Sequence, residues 1–117
     1  MDGPFEVNVS EPWFSAIKHG KKTIEGRLRK NKFASVKPGT TMVIRNSTKS
    51  KSPAIVAVVI DVVRYDSFHE FLVQEGLSHT LPGLTSIADG VDVYREFYNE
   101  QMEKEHGVVA IHLRKLK

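Results

Sequence analysis

The sequence predicts an α+β fold: a small, mixed or largely antiparallel sheet curled into an open barrel, with helices packed beside it. Apolar residues alternate with period two at Phe5–Val9 and Val108–Leu113 and recur every three to four residues between Ile87 and Met102. The strands so predicted lie mostly close enough in sequence to pair as antiparallel neighbours. A chain of 117 residues, 40% of them hydrophobic, can bury one core but falls short of two. Residues 1–117 are therefore expected to form one domain.

Phe5, Val7 and Val9 alternate with Glu6 and Asn8, the pattern of a half-buried strand. Ser10-Glu11-Pro12 then opens a helix, with Ser10 as cap and Pro12 in the first turn. Trp13, Phe14 and Ile17 give this helix an apolar side, and Gly20 ends it. Lys22–Leu28 reads as a second strand and Asn31–Thr40 as a loop closed by Lys37-Pro38-Gly39. Thr41–Arg45 is a short strand, and Asn46–Pro53 is a polar loop. Ala54–Val63 is a nearly continuous run of apolar, mostly β-branched residues and predicts a central strand buried on both faces. Ser67-Phe68-His69-Glu70 matches a capping box for a helix that stops at Gly76. After the turn Leu81-Pro82-Gly83, Ser86 caps a last helix. Its buried face carries Ile87, Val91, Tyr94, Phe97, Tyr98 and Met102, and Gly107 stops it before the final strand.

Charge is distributed unevenly. Residues 1–64 hold twelve Lys/Arg against five Asp/Glu, whereas residues 65–117 hold five against nine. A basic half of this kind suits a phosphate-binding face, and equally suits solvated loops.

Several chemistries are excluded or disfavoured. Cysteine is absent, which removes disulfides, thiolate catalysis and sulfur-ligated zinc. The histidines at 19, 69, 79, 106 and 112 form no i, i+4 pair, and the carboxylates show no calcium-loop spacing, so no metal or cofactor is expected. Gly20-Lys21-Lys22-Thr23 looks like the end of a phosphate loop, but Ser15 stands where that motif requires glycine. No serine sits in a nucleophile elbow. No window approaches the roughly 18 consecutive apolar residues of a membrane span, and Met1-Asp2-Gly3-Pro4 does not open a secretory signal. The expected location is cytoplasmic, or nuclear in a eukaryote, with no membrane partner.

The pattern that survives is Gly20-x-Lys22-x-x-Glu25-x-Arg27. Lys22 supplies a point charge, Glu25 an acceptor or base, and Arg27 a planar fork of donors. On a flat strand Glu25 and Arg27 share a face, together with Thr23, while Lys22 points the other way. For Lys22 to join them it must lie in a turn before the strand or beside a bulge. The plainer reading is an exposed strand with a Glu–Arg pair of little energetic consequence.

These four residues resemble the signature of the ASCH domain family, Gly-x-Lys-x-x-Glu-x-Arg. The resemblance extends to the Trp13-Phe14 helix, the long strand followed by Ser67-Phe68, and the stretch from Leu81-Pro82-Gly83 to Tyr94-Arg95-Glu96-Phe97-Tyr98. It implies a PUA-like fold, a small β-barrel with flanking helices and a cleft lined by the signature. It also implies binding of RNA or of a nucleoside or nucleotide. On that reading Lys22, Arg27, Arg29, Lys30, Arg45, Lys49 and Lys51 engage phosphates and Glu25 accepts from a base edge. Trp13 or Tyr98 would stack on the base, or else fill the core.

One branch of small bacterial ASCH proteins, similar in size, acts as an amidohydrolase on 4-acetylcytidine. Resemblance to it makes Lys22 the catalytic lysine and Glu75 the catalytic glutamate, and puts Glu25 where that branch has its threonine. A carboxylate cannot act as a hydroxyl nucleophile, and beside Lys22 it should keep the lysine charged. Thr23 substitutes only if the backbone turns it toward the cleft. Otherwise Glu25 activates water, Glu75 donates the proton and Lys22 stabilises the oxyanion.

Overall fold

The computed structural model describes residues 4–116. Five strands, β1 (Phe5–Val9), β2 (Ile24–Leu28), β3 (Thr41–Asn46), β4 (Ile55–Tyr65) and β5 (Val108–Lys115), form one sheet in the order β1-β3-β4-β5-β2. All neighbours are antiparallel except β1 and β3, which run parallel with Val7 opposite Ile44. Helix α1 (Trp13–Lys18) follows β1. Helices α2 (Phe68–Glu75), α3 (Leu77–Thr80), α4 (Ile87–Arg95) and α5 (Glu100–His106) lie between β4 and β5. The α+β half-barrel expected from the sequence is the observed architecture.

The sheet separates two apolar clusters. Inside its curl, Val7, Met42, Ile44, Ala57, Val59, Val109, Ile111 and Leu113 pack with Phe14 and Ile17 of α1. On the other face, Ile24, Leu28, Val108 and Ala110 pack with Phe68, Phe71 and Leu72 of α2 and Tyr94 of α4. Trp13 touches both clusters.

The strand buried on both faces is thus β5, sandwiched between the clusters, and not β4 as the β-branched run suggested. Helices cover only part of the sheet, so Val56 and Ile60 of β4 remain 39% and 54% exposed. The β4–β5 register slips between Val59 and Asp61, and the extra residue, Ile60, shifts the inward phase so that Val62 returns to the inner cluster.

No ladder joins the end strands β1 and β2. Two cationic side chains reach β1 instead, one from β2 and one from the turn after it. Arg27 Nη2 donates to the Asn8 carbonyl at 2.6 Å, and Lys32 Nζ donates to the Glu6 carbonyl. Glu6 and Asn8 are two residues apart on β1, so both carbonyls face the open edge. Lys32 lies in a 3-10 turn, Asn31–Ala34, within the segment expected to be plain loop.

Three further local expectations change. Ser10 does not cap α1. The Glu11 carboxylate does, accepting from the Ser15 amide at 3.0 Å and its hydroxyl at 2.7 Å, and these bonds lower its pKa. The single helix expected after Ser86 is two, because Asn99 accepts from the Met102 amide and caps a new helix. A one-turn helix, α3, precedes the Leu81-Pro82-Gly83 turn. The Ser67 and Ser86 caps form as expected, accepting from Glu70 and Asp89 amides.

Candidate functional site

Strand β2 starts at Ile24, so Lys22 lies in the turn that precedes it. Gly20 makes that turn with φ +76°, a left-handed conformation that glycine adopts without a Cβ clash. The Lys21 and Lys22 amides both return to the Ala16 carbonyl. This reversal brings Lys22 back toward Glu25, as the spacing required.

Lys22 is 3% exposed. Its ammonium donates to the Ile24 carbonyl at 2.8 Å and the Thr80 carbonyl at 2.6 Å, and lies 3.4 Å from Glu25 Oε1. Three oxygens thus face its three N–H groups. Burial pulls the Lys22 pKa below the ordinary lysine range, with Glu25 opposing.

Glu25 Oε2 accepts from Arg27 Nε at 2.6 Å. Burial pushes the Glu25 carboxyl up, but Arg27 and then Lys22 outweigh it and hold the group below the usual carboxylate value. The carboxylate is therefore ionised at neutral pH, and both oxygens keep acceptor capacity beyond the two cations. Arg27 spans Glu25 and Asn8, and its guanidinium lies over the Phe33 ring at 5.2 Å. Burial works against its charge, while Glu25 raises its pKa.

These residues form part of the wall of a cavity of about 140 Å³. Its apolar walls are Trp13, Leu81, Val93, Tyr94, Phe97 and Tyr98, and its polar walls include Asn8, Ser10, Lys22, Glu25, Arg27 and Ser47. Gly26 also lines it, and here the absence of a side chain is required. A Cβ at Gly26 would stand 2.6 Å from the Phe71 ring and 3.1 Å from the Tyr94 hydroxyl. The aromatic wall is held from behind. Phe68 stacks on Tyr94 at 4.3 Å and on Tyr98 at 5.6 Å, and the Phe68 amide donates to Glu103, which also binds Arg95.

Gly26, Tyr94 and Phe97 were not singled out by sequence reasoning as site residues. Phe97 falls in the break between α4 and α5 and is 61% exposed at the cavity wall, whereas helical spacing puts it on the buried face. Asn99 is the sequence signal for that break. Nothing local in the sequence connects Gly26 to Tyr94.

The other candidate residues are placed as follows. Glu75 is not on the cavity wall: its Oε2 accepts from the Tyr65 hydroxyl at 2.6 Å, and its Oε1 lies 3.0 Å from His112 Nε2. Glu25 pairs with Ile111 and His112 with Ile24, so Glu75 engages the face of β5 opposite to the Glu25 side chain. Thr23 does not line the cavity, and its backbone bonds to His79 and Leu113. Arg45 pairs with Glu6 at 2.5 Å on the surface. Lys30, Lys49 and Lys51 are exposed, and Arg29 is half-buried. The two lysines at 49 and 51 lie in the β3–β4 loop, of which Ser47 lines the cavity. Among the described residues, no group of three or more His, Asp or Glu is placed to hold a metal ion.

The ASCH domain family profile matches residues 7–117. The chain belongs to the ASCH domain family. It is 40% identical to hypothetical protein PH0355, whose crystal structure superposes with a TM-score of 0.84 over 97% of this chain and 100% of that one. It is 41% identical to protein PF0455 from Pyrococcus furiosus, known from a solution structure, with a TM-score of 0.76 over 98% and 99% of the two chains. The crystal structure of an ASCH protein from Zymomonas mobilis shares the fold at 22% identity, with a TM-score of 0.61 over 93% of this chain and 66% of that one. No curated protein matches the chain. Among the described residues no helix is long and apolar enough to cross a membrane.

Proposed function

We propose that this ASCH domain binds RNA by taking one unstacked base into the Glu25–Arg27 cavity. The observation that carries the reading is the composition of the cavity. Its volume of about 140 Å³ is of the order that admits one six-membered aromatic ring, roughly the 150 Å³ of an apolar protein cavity that binds benzene. Aromatic side chains offer stacking faces and an ionised carboxylate offers an acceptor to a base N–H.

Lys22 and Arg27 serve the cavity as holders of Glu25, since the Lys22 ammonium and the Nε and Nη2 of Arg27 are directed at protein oxygens. Phosphate contacts fall to Lys49, Lys51, Arg29 and Lys30, with Arg45 shared with Glu6. Equilibrium binding of short single-stranded RNA tests the reading. Binding is expected at about 50 mM salt and should weaken as salt rises. Absence of binding at low salt would remove it.

A second reading, hydrolysis of 4-acetylcytidine or a related acylated nucleoside, is favoured by one observation: an ionised, buried carboxylate pairs with an ammonium on the wall of a base-sized cavity. Glu25 would activate water, while Lys22, whose three N–H groups already face protein oxygens, would act on the carbonyl oxygen through its charge alone. Glu75 and Thr23 lie off the cavity wall, which leaves this reading without its acid and its hydroxyl. Release of acetate by the wild-type protein would establish it, and no release at high protein concentration would exclude that substrate.

A further inference from the structure

Three buried side-chain polar atoms lack a hydrogen-bond partner among the described residues: Tyr94 Oη, Arg95 Nη1 and His112 Nε2. Two of them have charged company. The Arg95 guanidinium is held through Nη2 by Glu103 at 2.7 Å, and His112 Nε2 lies 3.0 Å from Glu75. Tyr94 differs, because it lines the cavity and its hydroxyl, near Glu25, has neither a hydrogen bond nor an ion-pair contact among the described residues. A buried phenol normally finds a partner, and one left without it loses the solvation of its O–H for no return.

Surrounding structure keeps the hydroxyl where it is. Phe68 stacks flat on the ring at 4.3 Å with an interplanar angle of 8°, and Phe71 meets it edge-on at 5.9 Å. Gly26 lets the ring and its oxygen pack close against β2, where a Cβ would stand 3.1 Å from the hydroxyl. Burial, with Glu25 adding to it, pushes the Tyr94 phenol well above its ordinary pKa, so the group stays a neutral donor.

We infer that Tyr94 is a specificity-determining residue of the cavity, whose hydroxyl is held for an acceptor on the bound base while Glu25 takes a neighbouring N–H. The inference rests on the base-binding reading above and goes further, by naming the chemical edge that is read: a ring nitrogen or carbonyl next to an amino or imino group. Tyr94 and Glu25 present one donor and one acceptor, the complement of such an edge. A site built to bond a polar group discriminates strongly against a ligand that lacks it, because its own group is then left unpaired.

The test separates a ligand-directed hydroxyl from a structural one. Tyr94→Phe removes one oxygen from a ring already fixed by Phe68 and Phe71. The melting temperature should stay the same or rise, because an unpaired buried group is lost. Affinity for the single-stranded RNA homopolymer that the wild-type protein binds most tightly should fall about tenfold, the worth of one hydrogen bond. Replacing the accepting ring nitrogen of the base by C–H should weaken wild-type binding and leave Tyr94→Phe binding little changed, since that contact is already gone and the Glu25 contact is kept.

A drop in melting temperature on Tyr94→Phe would show that the hydroxyl serves the fold, and would overturn the inference. Equal RNA affinity of the two proteins would overturn it while leaving RNA binding intact. Failure of the wild-type protein to bind any homopolymer would remove the base-binding reading and the inference together.

Discussion

Arg27 donates from Nη2 to the Asn8 carbonyl at 2.6 Å and from Nε to Glu25 at 2.6 Å, so one guanidinium both closes the half-barrel and fixes the site carboxylate. Fold and site therefore share a part. An ammonium at position 27 is a single point donor and cannot span both acceptors. Arg27→Lys should lower stability by about 1–3 kcal/mol, measured by urea denaturation. Unchanged stability would mean that β1 and β2 are held together by other contacts.

The glycine between Glu25 and Arg27 is predicted to be intolerant. In Gly26→Ala the new methyl would meet the Phe71 ring at 2.6 Å, a distance no Cβ sustains. Phe71 is fully buried, so relief requires moving α2 or β2. We expect a loss of about 1–3 kcal/mol in denaturant unfolding.

Glu25 gives stability a pH dependence whose sign is fixed by its environment. Its folded pKa is depressed below the unfolded value. Its contribution is thus fully present above the unfolded carboxylate pKa of about 4.3 and is lost as pH falls through the lower folded value. Glu25→Gln should remove this part of the acid limb of a stability-against-pH curve. It also leaves Lys22, whose pKa burial already lowers, without its counter-charge, so the variant should gain stability relative to wild type toward alkaline pH. Parallel curves for the two proteins would contradict the assigned coupling.

Phe97 is the cavity residue that can be removed without harming the core, being 61% exposed. Phe97→Ala should change stability by less than about 0.5 kcal/mol and weaken RNA binding by about 1–3 kcal/mol, the worth of one stacked base. Lys22→Ala, by contrast, is a poor probe of chemistry. It would unpair two buried carbonyls and part of Glu25, and would destabilise the protein whatever its function.

Much of the fold was legible because local chemistry decided it. The β1 alternation, the Ser67 and Ser86 caps and the reversal at Gly20 all depend on residues close in sequence. Strand parity required a turn or a bulge at Lys22 if that residue was to meet Glu25, and the structure has the turn. What was not legible depends on distant partners. The run in β4 reads as doubly buried, yet burial is decided by which face the helices cover, and that coverage went to β5. The parallel β1–β3 pairing and the Arg27–Asn8 closure are long-range events without a local pattern. Helical spacing carried Tyr94 through Met102 as one face, and the cap at Asn99 interrupted it, which turned Phe97 from a core residue into a cavity residue.

The chain's one tryptophan, Trp13, lines the cavity, which makes it a reporter at the proposed site. Titrating the protein with short single-stranded RNA at about 50 mM salt should produce a saturable change in Trp13 fluorescence. The midpoint should move to higher RNA concentration as salt is added and in Phe97→Ala. RNA that fails to bind, or that binds while Trp13 emission and the effect of Phe97→Ala both stay flat, would contradict entry of a base into the Glu25–Arg27 cavity.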